Sequence, residues 1–124
     1  MPHEILIRSG DLEFHAQLDD TPTAAAILDA LPIEARVQRW GEEIYFSIGL
    51  TCELEPDSRD TLQAGELGYW PPLTAFCIFW GPTPASQGDE IRAASAVNVI
   101  GRVTSDLSSL ADVQDGQQIR IEKA

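Results

Sequence analysis

The chain has 124 residues, 44% of them hydrophobic, and its 20 acidic and 8 basic residues give a net charge of −12. That length suits one domain with a single core, and the apolar content excludes global disorder. The acidity and the lack of any basic run exclude nucleic acid and anionic membrane surfaces as partners, because both demand concentrated Lys and Arg.

"HEILIRSGDLEFHAQL" (3–18) reads as a hairpin. Ile5 and Ile7 alternate with Leu6. After the turn at Ser9-Gly10-Asp11, Leu12, Phe14, Ala16 and Leu18 share a face opposite Glu13, His15 and Gln17. The start shows no charged stretch ahead of an apolar one, and no apolar run approaches the length of a membrane span. No leader and no membrane segment are therefore expected. The period then changes. In "TPTAAAILDALP" (21–32), Thr21 fits an N-cap and Pro22 the first helical position. Ala24, Ile27, Leu28 and Leu31 form a helical stripe, and Pro32 ends the helix by biasing Leu31 towards extended backbone.

In "EARVQRWGEEIYFSIGL" (34–50), Val37 is a core position and Trp40-Gly41 a turn. Ile44, Phe46 and Ile48 alternate with Tyr45 and Ser47, as in a strand. Residues 53–65 are polar, broken by Pro56, and read as a loop. "ELGYWPP" (66–72) is short and extended. "TAFCIFW" (74–80) is apolar on both faces, so it predicts a strand covered on both sides. Residues 81–95, with two prolines and two glycines, read as the longest loop. "AVNVIGRV" (96–103) is a strand, residues 105–113 a short helix on Leu107, Leu110 and Val113, and "QQIRIEK" (117–123) a final strand with Ile119 and Ile121 inward. Cys52 and Cys77 form no CxxC pair. With no leader expected, free thiols and a reducing, cytoplasmic setting follow. The sum is one domain over residues 1–124, mainly β, with about seven or eight strands, one clear helix and one short helix. A closed β-barrel with helices over its openings manages the strand edges best.

Several segments carry a family resemblance. "VNVIGRVTSDLSSLADV" (97–113) resembles the cyclophilin pattern of a strand ending V-x-G-K-V before a helix. "LEFHAQLDDTPTAAAILDAL" (12–31) resembles the strand that opens that fold and leads into its first helix. "WGEEIYF" (40–46), "GELGYWPP" (65–72), "FCIFWGPTP" (76–84) and "ASAVNVIGRV" (94–103) resemble a group of small, uncharacterised, mostly prokaryotic proteins with a cyclophilin-like barrel. One departure is Leu73, where that group has Gly after Pro-Pro. The resemblance implies the barrel but hands over no activity. Prolyl isomerases of the cyclophilin family use an Arg that polarises the amide, together with a His and a Trp. Setting Gly101 on the glycine of the V-x-G-K-V pattern puts Val97 at the His position and Arg92 at the Trp position. The strand that carries the Arg matches "WGEEIYF", which offers Glu42 and Glu43. This argues against isomerase activity.

Other chemistry is weakly signalled. His3 and His15 are far apart and lack a Cys or acidic cluster, so neither a metal nor a cofactor is expected. No G-x-S-x-G elbow and no phosphate-binding glycine loop occurs. Glu42 and Glu43 are neighbours, and neighbours in a strand face opposite ways, so they do not form a dyad by themselves. A glutamate near Trp40 and Tyr45 can nevertheless bind a polar or cationic ligand. Trp40, Glu42, Tyr45, Trp70 and Arg92 are the candidate residues of a side groove for a small molecule or short peptide. Burial in the core or its covering layer is the alternative for the rings, and ion pairing for the charged residues. The competing function is enzymatic: prolyl isomerisation, or amide or acyl processing as an enzyme or enzyme subunit by analogy of fold alone; the third is a structural or subunit role, with edge strands and exposed rings covered in an oligomer.

Overall fold

The structure is a computed structural model and describes residues 3–124; Met1 and Pro2 of the expected domain lie outside the described residues. The hairpin forms as its alternation dictates, with β1 (His3–Ser9) antiparallel to β2 (Leu12–Leu18), Ile5 opposite Ala16 and Ile7 opposite Phe14. All four of these side chains are buried. Helix α1 (Pro22–Ala30) starts at Thr21, whose hydroxyl accepts from the Ala24 N–H at 3.1 Å. It buries Thr23, Ala24 and Ile27, and it stops where Leu31, ahead of Pro32, becomes extended.

Eight further strands follow: β3 (Ile33–Arg36), β4 (Gln38–Arg39), β5 (Glu43–Ser47), β6 (Arg59–Leu62), β7 (Glu66–Trp70), β8 (Ala75–Phe79), β9 (Ile91–Val103) and β10 (Gln118–Lys123). Every pairing is antiparallel, and the main path runs β3-β10-β1-β2-β9-β7-β8-β5-β4, with β6 added beside β9. This corrects the expected seven or eight strands to ten. It also corrects the closed barrel, because the hydrogen-bonded ladder is open. The two ends of the path, β3 and β4, are successive stretches of one chain segment separated by Val37 alone. The sheet therefore curls until its edges are joined by covalent chain rather than by a ladder. Val37 is 1% exposed; its N–H donates to the Gln117 carbonyl at 2.9 Å and its carbonyl accepts from the Gly116 N–H at 2.7 Å. That bend satisfies the backbone where the ladder breaks.

The core fills the inside of the curled sheet, where the Phe46 and Phe76 rings stack at 5.3 Å between centroids. A second, smaller cluster lies on the outer side of β8. There Ala75, Cys77 and Phe79 are buried beneath Leu62 of β6 and Ile91, Ala93 and Val97 of β9. All five residues of β8 are buried, as an apolar run without alternation requires. The covering layer comes from segments expected to be loops. Strand β6 lies within 53–65, and β9 begins at Ile91, inside 81–95. The short helix over 105–113 is a 3₁₀ turn, Ser108–Asp112, that buries Leu110. Among the described residues no helix is long and apolar enough to cross a membrane.

Candidate functional site

The second layer does not cover the outer face of β5 and β8 completely. Ile44 and Phe46 of β5 point into the core, so Glu43 and Tyr45 take the outer face. In register, Glu43 stands opposite Phe79 and Tyr45 opposite Cys77. The turn between β4 and β5 delivers Trp40, whose N–H donates to the Glu43 carbonyl at 2.9 Å. Gly41 makes this turn possible. Its φ is +65°, and a Cβ there would stand 2.8 Å from the Thr83 Cα. From the far side, Trp70 ends β7 and its indole N–H donates to the Ser95 hydroxyl of β9 at 2.7 Å. The Tyr45 hydroxyl donates to the Gln38 side chain at 2.9 Å.

These elements enclose a groove of about 280 Å³, small for a ligand site, where roughly 300–1,000 Å³ is usual. Trp40, Tyr45 and Trp70 line it with Glu43 and Cys77, and β9 closes it with Ala93, Ala94 and Val97. Leu73, 49% exposed, stands at its edge. The chain turns into β8 there through a 3₁₀ turn at Pro71–Leu73, and the left-handed residue is Thr74 (φ +46°), one position after Leu73.

Glu43 is the ionisable group that sets the electrostatics of the groove. It is 5% exposed. Burial raises its pKa from 4.5 to about 7, and the neighbouring Cys77 thiol opposes the rise. Removal from water disfavours the carboxylate form, and one weak thiol donor compensates little. Cys77 itself is held well above the ordinary thiol range by burial and by the neighbouring carboxyl, so it is no ready nucleophile. Among the described residues no group of three or more His, Cys, Asp or Glu is placed to hold a metal ion.

Of the five residues singled out in the sequence, Trp40, Tyr45 and Trp70 come together in this groove. Glu42 and Arg92 stand outside it. Glu42 is exposed, its backbone bonded to Pro82 and Trp80 and its side chain against Gly81. Arg92 is clamped by Glu90 and Asp60, each at 2.8 Å. Glu43 occupies the groove position sought for Glu42. The signal was available: with Ile44 and Phe46 inward, alternation puts Glu43, not Glu42, on the face of Tyr45. Ala93 and Ala94 carried no such signal, because their segment looked like loop.

A family model described as cyclophilin-like matches residues 3–122. No curated protein matches the chain. Among solved structures, the solution structure of the hypothetical protein AF2241 from Archaeoglobus fulgidus is similar. It is 41% identical, with a TM-score of 0.84 over 99% of this chain and 95% of that one.

Proposed function

The chain belongs to the cyclophilin-like family, and from that premise we propose that it binds a small molecule, or the side chain of a short peptide, in the groove beside β5 and β8, without prolyl isomerase activity. The observation that carries this reading is convergence. Three aromatic rings from two stretches of chain, Trp40 and Tyr45 from the β4–β5 segment and Trp70 from the end of β7, line one groove with a buried carboxyl. Rings offer contact area at little entropic cost, and a single polar group orients what they hold. Isomerisation needs a cation or strong donor facing the amide carbonyl. Here the groove presents Glu43, while Arg92 is engaged by Glu90 and Asp60, and Arg39 donates to the Gly41 and Ala111 carbonyls. The position matched to the isomerase His is Val97, an apolar part of the wall. Free Cys52 and Cys77 are compatible with a reducing, cytoplasmic setting.

A thermal-shift screen of metabolites tests the reading, since a ligand at about a hundred times its Kd stabilises the fold by about 2.7 kcal/mol. The expected result is a set of hits that vanish in Trp70→Ala. Hits that persist in Trp70→Ala and Trp40→Ala would place binding elsewhere. A proline-isomerisation assay with a catalysed control is expected to stay at background, and turnover above it would overturn the non-isomerase part.

A further inference from the structure

Glu43 is a buried acid without a counter-charge. It is 5% exposed, and the influences on its ionisation are burial and the Cys77 thiol, with no cationic side chain among them. The arginines nearest in the chain and across the groove are committed elsewhere. Arg39 donates from Nε to the Gly41 carbonyl and from Nη1 to the Ala111 carbonyl, both at 2.8 Å, and lies over the Trp80 ring. Arg92 is held by Glu90 and Asp60. A buried carboxylate left unpaired is costly, and a charge of opposite sign at hydrogen-bond range is what offsets the cost. The groove walls include three aromatic rings, Trp40, Tyr45 and Trp70, and aromatic faces attract cations and offer nothing to anions. The whole molecule adds to the same preference, since a net charge of −12 raises the local concentration of cations and repels anions.

Resting on the reading of this groove as a ligand site, we propose that its ligand is a small organic cation: an ammonium group, primary to quaternary, on a short apolar body. The ammonium sits against the Glu43 carboxylate and between the rings of Trp40, Tyr45 and Trp70. The apolar body lies along Ala93 and Val97 towards the exposed Leu73. The groove volume, about 280 Å³, limits the ligand to a small one. A metal ion is a poor alternative occupant, because the groove supplies a single carboxylate and no further hard ligand.

The test is an NMR titration of the full chain at mildly alkaline pH, following the tryptophan indole signals. The probes are n-butylammonium, tetramethylammonium, n-butanol and n-butyrate. The ammonium probes are expected to shift Trp40 and Trp70 and leave Trp80 in place. They should bind about ten-fold or more tightly than butanol, with butyrate showing no binding. Glu43→Gln should remove about ten-fold of ammonium affinity and leave butanol unchanged. Glu43→Asp, which keeps the charge, should retain part of the preference and guards against misreading a folding defect. If butanol binds as well as butylammonium, and Glu43→Gln changes neither, the cation assignment is overturned while the groove remains a ligand site. If none of the probes moves Trp40 or Trp70 while other metabolites do in the screen, the assignment falls by itself. If nothing moves them at all, the ligand-site reading falls with it.

Discussion

Glu43→Gln should make the protein more stable, and by an amount that depends on pH. The folded carboxyl has a pKa of about 7 against 4.5 for the ordinary group. Below 4.5 both the folded and unfolded forms are protonated, and the stability attached to this group is fully present. Between 4.5 and 7 the unfolded chain has lost the proton while the folded one keeps it. The unfolded state then binds fewer protons, so stability falls as pH rises, by about 1.4 kcal/mol per unit. Above pH 7 both forms are ionised and the loss levels off, at about 3 kcal/mol in all. The glutamine variant cannot ionise and escapes this loss. Urea denaturation of both proteins across the acidic and neutral range measures it. The stability difference should favour the variant progressively as pH climbs to neutrality, then stay constant. Glu42→Gln, one residue away and exposed, removes the same charge and controls for the change in net charge. A difference between wild type and Glu43→Gln that is flat across the range would refute the reasoning, since it would mean that the folded carboxyl ionises as readily as the unfolded one.

Three other substitutions probe the frame around the groove. Gly101→Ala should be among the most damaging small changes in the chain, because a Cβ there would lie 1.9 Å from the Gln17 carbonyl oxygen across the β2–β9 pairing. A loss above about 3 kcal/mol in urea, or failure to fold, is expected, and a near-neutral effect would show that the two strands part easily. Tyr69→Phe removes a buried hydroxyl that donates to the Leu50 carbonyl at 2.6 Å and accepts from the Cys52 N–H at 3.0 Å. It should cost about 1–3 kcal/mol and raise hydrogen exchange at Cys52. Trp70→Phe keeps a ring but loses the bond to Ser95; it should weaken ligand binding in the thermal-shift screen with a stability loss of about 1 kcal/mol in urea.

The elements legible in the sequence are those whose burial is one-sided and periodic. Ile5, Ile7, Phe14 and Ala16 announce the first hairpin, and Thr21 with Pro22 announces the helix start. The unbroken apolar run at Ala75–Phe79 announces a strand covered on both faces. Elements held by pairing rather than by burial are silent. Strand β6 buries only Leu62, and Arg59 is fixed by a double hydrogen bond to Glu66, so the segment reads as polar loop. The first half of β9 is hidden behind a proline-rich approach and by Ala94 and Ser95, two consecutive exposed residues that interrupt the alternation. Strands β3 and β4 are four and two residues long, too short for a period to appear. The site followed the same logic. The rings stood out by type, whereas Ala93 and Ala94 became groove wall only once β9 was known to fold over β8.

The two layers explain why a groove exists at this place at all. Were the outer face of β5 covered along its full length, Glu43 would be sealed among apolar side chains, and a neutral residue would serve the fold better. Were it uncovered, Glu43 would be solvated and its pKa ordinary. Instead the layer at this place is built of the small side chains Ala93, Ala94 and Val97, which line the groove together with Trp40 and Tyr45. The carboxyl is thereby held largely out of bulk water while it lines the groove. Within the fold, burial disfavours the Glu43 carboxylate, and the neighbouring Cys77 thiol offsets this only in part. Departures of this kind from the best-folding sequence concentrate at functional sites, where a group unfavourable to the empty fold is offset by what it binds. On the cation reading proposed above, an ammonium group is the partner that offsets a carboxylate sharing its groove with three rings.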